Sequence, residues 1–131
     1  MMYIALDGDD VGRHIEKYLI ENKERDVAEL SEQITKTVQE ITVYLQRIGF
    51  EIIFSAGDSI LCKGKSIDIR KLSYYLASKN KICTFSVGIG NTLEKTYVAL
   101  KYAKSDGKNT IVNYNENNQL LSQQINFEMF K

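Results

Sequence analysis

From Val27 onward the apolar residues Leu30, Ile34, Val38, Ile41, Leu45 and Ile48 step by threes and fours, and the series stops at Gly49. This period predicts a long amphipathic helix with one apolar stripe, and Gly49 suits the left-handed residue that follows a helix end. The stripe needs a partner layer, and the flanking segments read as strands. Before it, Met2-Tyr3-Ile4-Ala5-Leu6-Asp7 alternates, with Met2, Ile4 and Leu6 on one face and Tyr3, Ala5 and Asp7 on the other. After it, Phe50-Glu51-Ile52-Ile53-Phe54 and Ile60-Leu61-Cys62 are short apolar runs joined through Gly57-Asp58, the pattern of a β-hairpin with a tight turn.

The remaining punctuation completes the plan. Val11, Ile15, Tyr18 and Leu19 predict a short first helix, broken by the charged run Asn22 to Asp26. Ser66 is the predicted N-cap of a helix carrying Ile69, Leu72, Tyr75 and Leu76. Thr84 to Gly90 alternates, placing Phe85, Val87 and Ile89 against the helices. Ser86, Gly88 and Gly90 then form a bare face that a nucleotide or a partner subunit could approach, although glycines in a strand equally mark a bulge. Leu93, Tyr97, Leu100 and Ala103 predict a helix ending at Gly107, followed by the strand Thr110-Ile111-Val112. The order predicts an α+β, ferredoxin-like βαββαβ palm: an antiparallel sheet with helices on one face and the other open for function, plus a C-terminal helix and strand. A chain of 131 residues fits one domain, 1–131. Its extension, 113–131, is polar to Gln119 and then carries Leu120, Leu121, Ile125, Phe127, Met129 and Phe130, expected to dock on the sheet or on a second subunit as helix or strand.

Composition narrows the function. Lys plus Arg equals Asp plus Glu, 17 against 17, so no net field draws in a long nucleic acid. No stretch approaches the roughly 20 apolar residues that span a membrane, and the N-terminus enters a strand without a basic leader, which together predict a cytoplasmic protein. Cys62 and Cys83 sit within apolar segments and read as core thiols. His14, the single histidine, has no partner at ligand spacing.

Two short acidic runs, Asp7-Gly8-Asp9-Asp10 and Gly57-Asp58-Ser59, stand at the end of a strand and at the tip of a hairpin. Magnesium takes one or two carboxylates and leaves its other positions to water and phosphate, so Asp7, Asp58 and the Gly8 carbonyl suffice as ligands. Phosphoryl transfer depends mostly on positioning and charge neutralisation, which such a pair of carboxylates can support. Bland readings stand beside this one. Asp9 and Asp10 could cap the first helix, Gly57-Asp58 could be only a turn, and Lys101 and Lys104 could be a solvated face.

On these residues the chain resembles the GGDEF and CRISPR polymerase palm superfamily, most closely its stand-alone members, the minimal CRISPR polymerases. The resemblance runs from Met2 to about Asn113. Asp7-Gly8-Asp9-Asp10 is similar to the family's first-strand metal motif, and Ala56-Gly57-Asp58-Ser59 to its Gly-Gly-Asp-Asp or Gly-Gly-Asp-Glu-Phe hairpin. Phe85-Ser86-Val87-Gly88-Ile89 is similar to its Ser-Ile-Gly-Ile strand, and Ala103-Lys104-Ser105-Asp106-Gly107-Lys108-Asn109 to its Ala-Lys-x-x-Gly-Arg-Asn segment. Two hairpin positions depart: Ala56 replaces a glycine, tolerable where the backbone keeps a negative φ, and Ser59 replaces a carboxylate. In diguanylate cyclases an asparagine eight residues beyond the first aspartate reads guanine, and here that position is Ile15.

The resemblance implies a nucleotidyltransferase that takes a nucleoside triphosphate, ATP favoured over GTP, with Mg²⁺ or Mn²⁺. It implies a cyclic oligonucleotide product, a cyclic dinucleotide foremost, made by a homodimer and read by a downstream effector in antiviral defence. Asp7 and Asp58 would be catalytic, with Gly8 completing the metal set. Asp9, Asp10, Gly57, Ser59, Lys101 and Lys104 would contact the nucleotide, Lys104 at the triphosphate, with Lys108 and Arg13 as weaker candidates. The alternatives are a palm that binds a nucleotide without turning it over, a cyclase making a cyclic mononucleotide, and a GTP ring-opening hydrolase.

Overall fold

The computed structural model describes residues 1–127. Its elements are β1 (Met2–Gly8), α1 (Val11–Ile20), α2 (Glu24–Arg47), β2 (Glu51–Ala56), β3 (Ser59–Gly64), α3 (Ile69–Ala77), β4 (Phe85–Gly90), α4 (Leu93–Ser105), β5 (Thr110–Tyr114) and β6 (Leu120–Gln124). The strands form one sheet in the order β2-β3-β1-β4-β5-β6. The first four strands make the antiparallel ferredoxin-like core, β5 joins β4 in parallel, and β6 returns antiparallel to β5.

The strand alternation does what the sequence implies. Ile4, Leu6, Ile60, Cys62, Phe85, Val87, Ile89 and Ile111 form one apolar sheet face, buried under Ile34, Val38, Ile41 and Leu45 of α2 and Leu72 and Leu76 of α3. The α2 helix closes as expected, with Gly49 at φ 100° and the Phe50 amide donating to Leu45 O at 2.9 Å. The α3 cap differs from expectation: Asp68, not Ser66, accepts from the Arg70 and Lys71 amides at 3.1 and 3.2 Å. Asp68 immediately precedes the first helical residue, where a side-chain oxygen can reach those donors.

The second sheet face is not bare. A Cβ built on Gly88 would lie 2.3 Å from Leu100 N and 2.4 Å from Thr96 O, so the glycines of β4 admit α4 rather than a nucleotide or a partner subunit. With the backbones this close, α4 turns its small residues Thr96, Ala99 and Ala103 inward and leaves Leu93 and Tyr97 exposed. Ala99, Ala103 and Val112 form a second apolar cluster here. Helix α4 lies along β4 and β5, while toward β2 the sheet carries Phe54 at 48% exposure.

The C-terminal extension docks on the sheet. β6 pairs with β5 from Leu120 opposite Tyr114 to Gln124 opposite Thr110, and Ile125 enters the core. Phe127 meets Tyr74 edge-on at 5.4 Å. Met129 and Phe130 lie outside the described residues. Cys62 is buried and Cys83 half-buried, both as free thiols, and burial pushes them up to about 12 and about 11. No helix among the described residues is long and apolar enough to cross a membrane.

Candidate functional site: a carboxylate and carbonyl cradle

The end of β1 and the β2–β3 turn are brought together by strand register. Asp7 stands opposite Ser59 on one side and Ser86 on the other, and the Gly8 amide donates to the Asp58 carbonyl at 3.0 Å. The turn is built by Gly57, whose φ of 58° is the positive value required at the first position of a type II′ hairpin. Ala56 is not among the positive-φ residues, so its replacement of glycine costs the turn nothing. At Gly8 a Cβ would stand 3.1 Å from Asp58 Oδ2 and 2.9 Å from Val11 Cγ2. Glycine at this position therefore lets the Asp58 carboxylate lie directly against the β1 backbone.

Ser59 donates its hydroxyl to Asp7 Oδ1 at 2.5 Å and orients that side chain. Lys104, in the last turn of α4, reaches the same place. Its ammonium donates to Gly8 O at 2.8 Å and to Asp9 Oδ1 at 3.1 Å, and it lies 3.1 Å from Asp7 Oδ2. Asp9 points away from the cradle mouth and is only 3% exposed. Its carboxylate accepts from Ser86 Oγ at 2.6 Å, Thr84 Oγ1 at 2.7 Å, the Asn109 amide at 3.0 Å and Lys104. It thus ties β1 to β4, to α4 and to the loop before β5.

The other candidates separate. Asp10 is the α1 N-cap residue at φ 59° but makes no side-chain cap bond; its carboxylate pairs with Lys108 Nζ and lies 3.8 Å from Arg13 Nη1. Lys101 is exposed, with its ammonium 5.4 Å from the Tyr97 ring centroid. It shares a side of α4 with Lys104 but does not join the cradle. His14 is exposed on α1. Sequence reasoning assigned no role to Thr84 or Asn109: Thr84 has no local pattern, Asn109 closes the Ala103 to Asn109 segment, and only the fold places both on Asp9. Asn109 Oδ1 is the one buried side-chain polar atom without a partner among the described residues.

The electrostatics follow from this packing. Burial, then the nearby Asp7 charge, push the Asp58 carboxyl above its ordinary range. Burial also works against the charged forms of Asp9 and Lys104. For Asp9 the Ser86, Thr84, Asn109 and Lys104 hydrogen bonds outweigh it and hold the carboxyl low; for Lys104, Asp9 and Asp7 outweigh it and hold the ammonium high. Among the described residues no three His, Cys, Asp or Glu side chains are grouped to hold a metal ion. The cradle instead offers two carboxylates and a carbonyl, all hard oxygen donors, the chemistry that fits Mg²⁺ or Mn²⁺ with water and phosphate supplying the rest.

Known proteins share this fold. A solved structure described as a Csm1-Csm4 cassette in complex with cA4 superposes with a TM-score of 0.64 at 17% identity, covering 95% of this chain and 23% of that one. A diguanylate cyclase/phosphodiesterase from Caldicellulosiruptor saccharolyticus superposes with a TM-score of 0.52 at 15% identity, covering 92% and 78%. This chain thus spans less than a quarter of the first of these, and both likenesses establish the palm fold. No curated protein matches the chain. The model of the minimal CRISPR polymerase domain matches residues 3–114, which take in the cradle, the hairpin and Lys104. The chain belongs to the minimal CRISPR polymerase domain family.

Proposed function

We propose that this protein is a nucleotidyltransferase that converts ATP, with Mg²⁺ or Mn²⁺, into a cyclic oligonucleotide, a cyclic dinucleotide foremost. The observation that carries this reading is the apposition of Asp7 and Gly8 O, at the end of β1, with Asp58 in the β2–β3 turn, and Lys104 reaching in from α4. Asp7, Asp58 and Gly8 O would hold the cation. A divalent cation there acidifies the attacking hydroxyl and neutralises charge on the departing pyrophosphate. Ser59 fixes Asp7, and Asp9 holds Lys104 within reach of a triphosphate, with Lys101 further along the same side of α4. In each step a ribose hydroxyl oxygen bonds to an α-phosphorus, the bond to pyrophosphate breaks, and the hydroxyl proton passes to solvent. Two such steps close a two-nucleotide ring.

Closing that ring needs two triphosphates face to face, hence two copies of the chain. Phe54, Leu93 and Tyr97, exposed on the sheet and on α4, supply apolar surface for such a pairing. Adenine is favoured because Ile15 offers no hydrogen bond to a guanine edge. A cytoplasmic effector of antiviral defence is the expected reader of the product.

A second reading, a palm that binds a nucleotide without turnover, is favoured by one observation: Lys104 already places a positive charge on Asp7 and Gly8 O. Incubation with each of the four ribonucleoside triphosphates and Mg²⁺, followed by mass and nuclease analysis, tests both. A cyclic adenine oligonucleotide supports the first reading, a cyclic mononucleotide moves the chemistry to a simpler cyclase, and unchanged triphosphate despite saturable binding supports the second.

A further inference from the structure

We propose that the Lys104 ammonium and the divalent cation are alternative occupants of the cradle, so that metal entry turns Lys104 off Asp7 and Gly8 and frees it for the triphosphate. This inference rests on the metal-dependent reading above. An ammonium has three N–H donors, and those of Lys104 are directed at Gly8 O (2.8 Å), Asp9 Oδ1 (3.1 Å) and Asp7 Oδ2 (3.1 Å). Two of these three acceptors are the ligands assigned to the metal. A lysine ammonium and a divalent cation compete for them, because the two positive charges would lie close together in a partly desolvated site.

The third acceptor makes the exchange directional. Asp9 is held by Thr84, Ser86 and the Asn109 amide whether or not a metal is present, so it remains a partner for Lys104 in both states. The Lys104 side chain is 25% exposed, at the mouth of the cradle rather than sealed beneath it. Its flexible four-carbon stem can re-aim the ammonium outward without moving α4. Lys104 therefore neutralises the carboxylates while the metal is absent, and metal entry coincides with release of the cation that grips the phosphates. A fixed structural lysine would make the opposite demand and stay on Asp7 and Gly8 O throughout.

The test uses Mn²⁺ alone, without nucleotide, titrated into wild type, Lys104→Met and Lys101→Ala, with free Mn²⁺ read by electron paramagnetic resonance. Removing the competing ammonium is expected to tighten Mn²⁺ binding about tenfold, the scale of a lost charge-assisted hydrogen bond. Lys101→Ala, which deletes the same charge outside the cradle, is expected to change it less than about twofold. In wild type, Mg²⁺ should shift the Lys104 side-chain NMR resonances while K⁺ at equal ionic strength does not; this arm decides the matter if Lys104→Met fails to fold. Equal Mn²⁺ affinity in wild type and Lys104→Met, equal tightening in both variants, or an unmoved Lys104 signal overturns the exchange and leaves the metal site standing. No Mn²⁺ binding by any of the three proteins overturns the metal reading and the exchange together.

Discussion

Gly88→Ala isolates the step that sets α4, and with it Lys104, against the sheet. The new methyl would meet Leu100 N at 2.3 Å and Thr96 O at 2.4 Å, both backbone atoms that no rotamer change can remove. Ordinary contact begins near 3.4 Å, so α4 must lift by about 1 Å. Overpacking of this kind costs about 1–3 kcal/mol, and the absence of a flexible neighbour puts this case near the top of that range. With a urea m-value of about 1.5–2 kcal/mol/M for a domain of this size, the unfolding midpoint should fall by about 1.5 M. Gly12→Ala in α1 is the matched control. Its Cβ would meet nothing within 4 Å and it lies inside a helix, so it should gain about 0.5–1 kcal/mol. Urea melts of both variants decide the matter. A Gly88→Ala midpoint within about 0.3 M of wild type would refute the close-packing account of β4 and α4.

Asp9→Asn should cost about 3 kcal/mol, because it leaves buried donors facing an amide and removes the inner partner of Lys104. The pH dependence has a definite sign. The folded Asp9 carboxyl sits below its ordinary 3.8, so its contribution is present above that value and lost as pH falls through the lower folded one. Acid melts of wild type should show that loss, and those of Asp9→Asn should show less of it. Asp58 has the reverse sign. Its raised pKa means the charged form burdens the metal-free fold at neutral pH, so Asp58→Asn should melt higher without metal and lose the stabilisation that Mg²⁺ gives wild type, both read by calorimetry. Gly8→Ala presses on Asp58 and should weaken Mn²⁺ binding about tenfold for a stability loss of only about 1–2 kcal/mol, measured by metal titration beside a urea melt.

How legible each part was depends on where its signal lies. The α2 helix, the hairpin and the alternation of β1 and β4 were readable because burial imposes a period on adjacent residues. The face of α4 was read only in part: Ala103 is buried, but Leu93 and Tyr97 are exposed, because the other residues it buries, Thr96 and Ala99, are small and one of them is polar. Their burial comes from the glycines of a different element, Gly88 and Gly90. Strand β6 carries Ser122-Gln123-Gln124 and has no strand period of its own, so its conformation comes from the exposed edge of β5. In the cradle, Asp7, Gly8, Asp58 and Lys104 were reachable from motif order. The role of Asp9 was not, because its partners Thr84, Ser86 and Asn109 are some 75 to 100 residues away in the chain. Asp10 shows the same limit: it occupies the cap position yet spends its carboxylate on Lys108 and Arg13.

The most direct test of the central claim is pyrophosphate release from ATP and Mg²⁺, followed with product mass for wild type, Asp7→Asn and Asp58→Asn. The account predicts one pyrophosphate per ATP consumed, a cyclic oligonucleotide mass in wild type, and a loss of at least about a hundredfold in rate in either variant with the fold retained. Pyrophosphate release that persists in both variants, or none from wild type under conditions where ATP binds saturably, would contradict it.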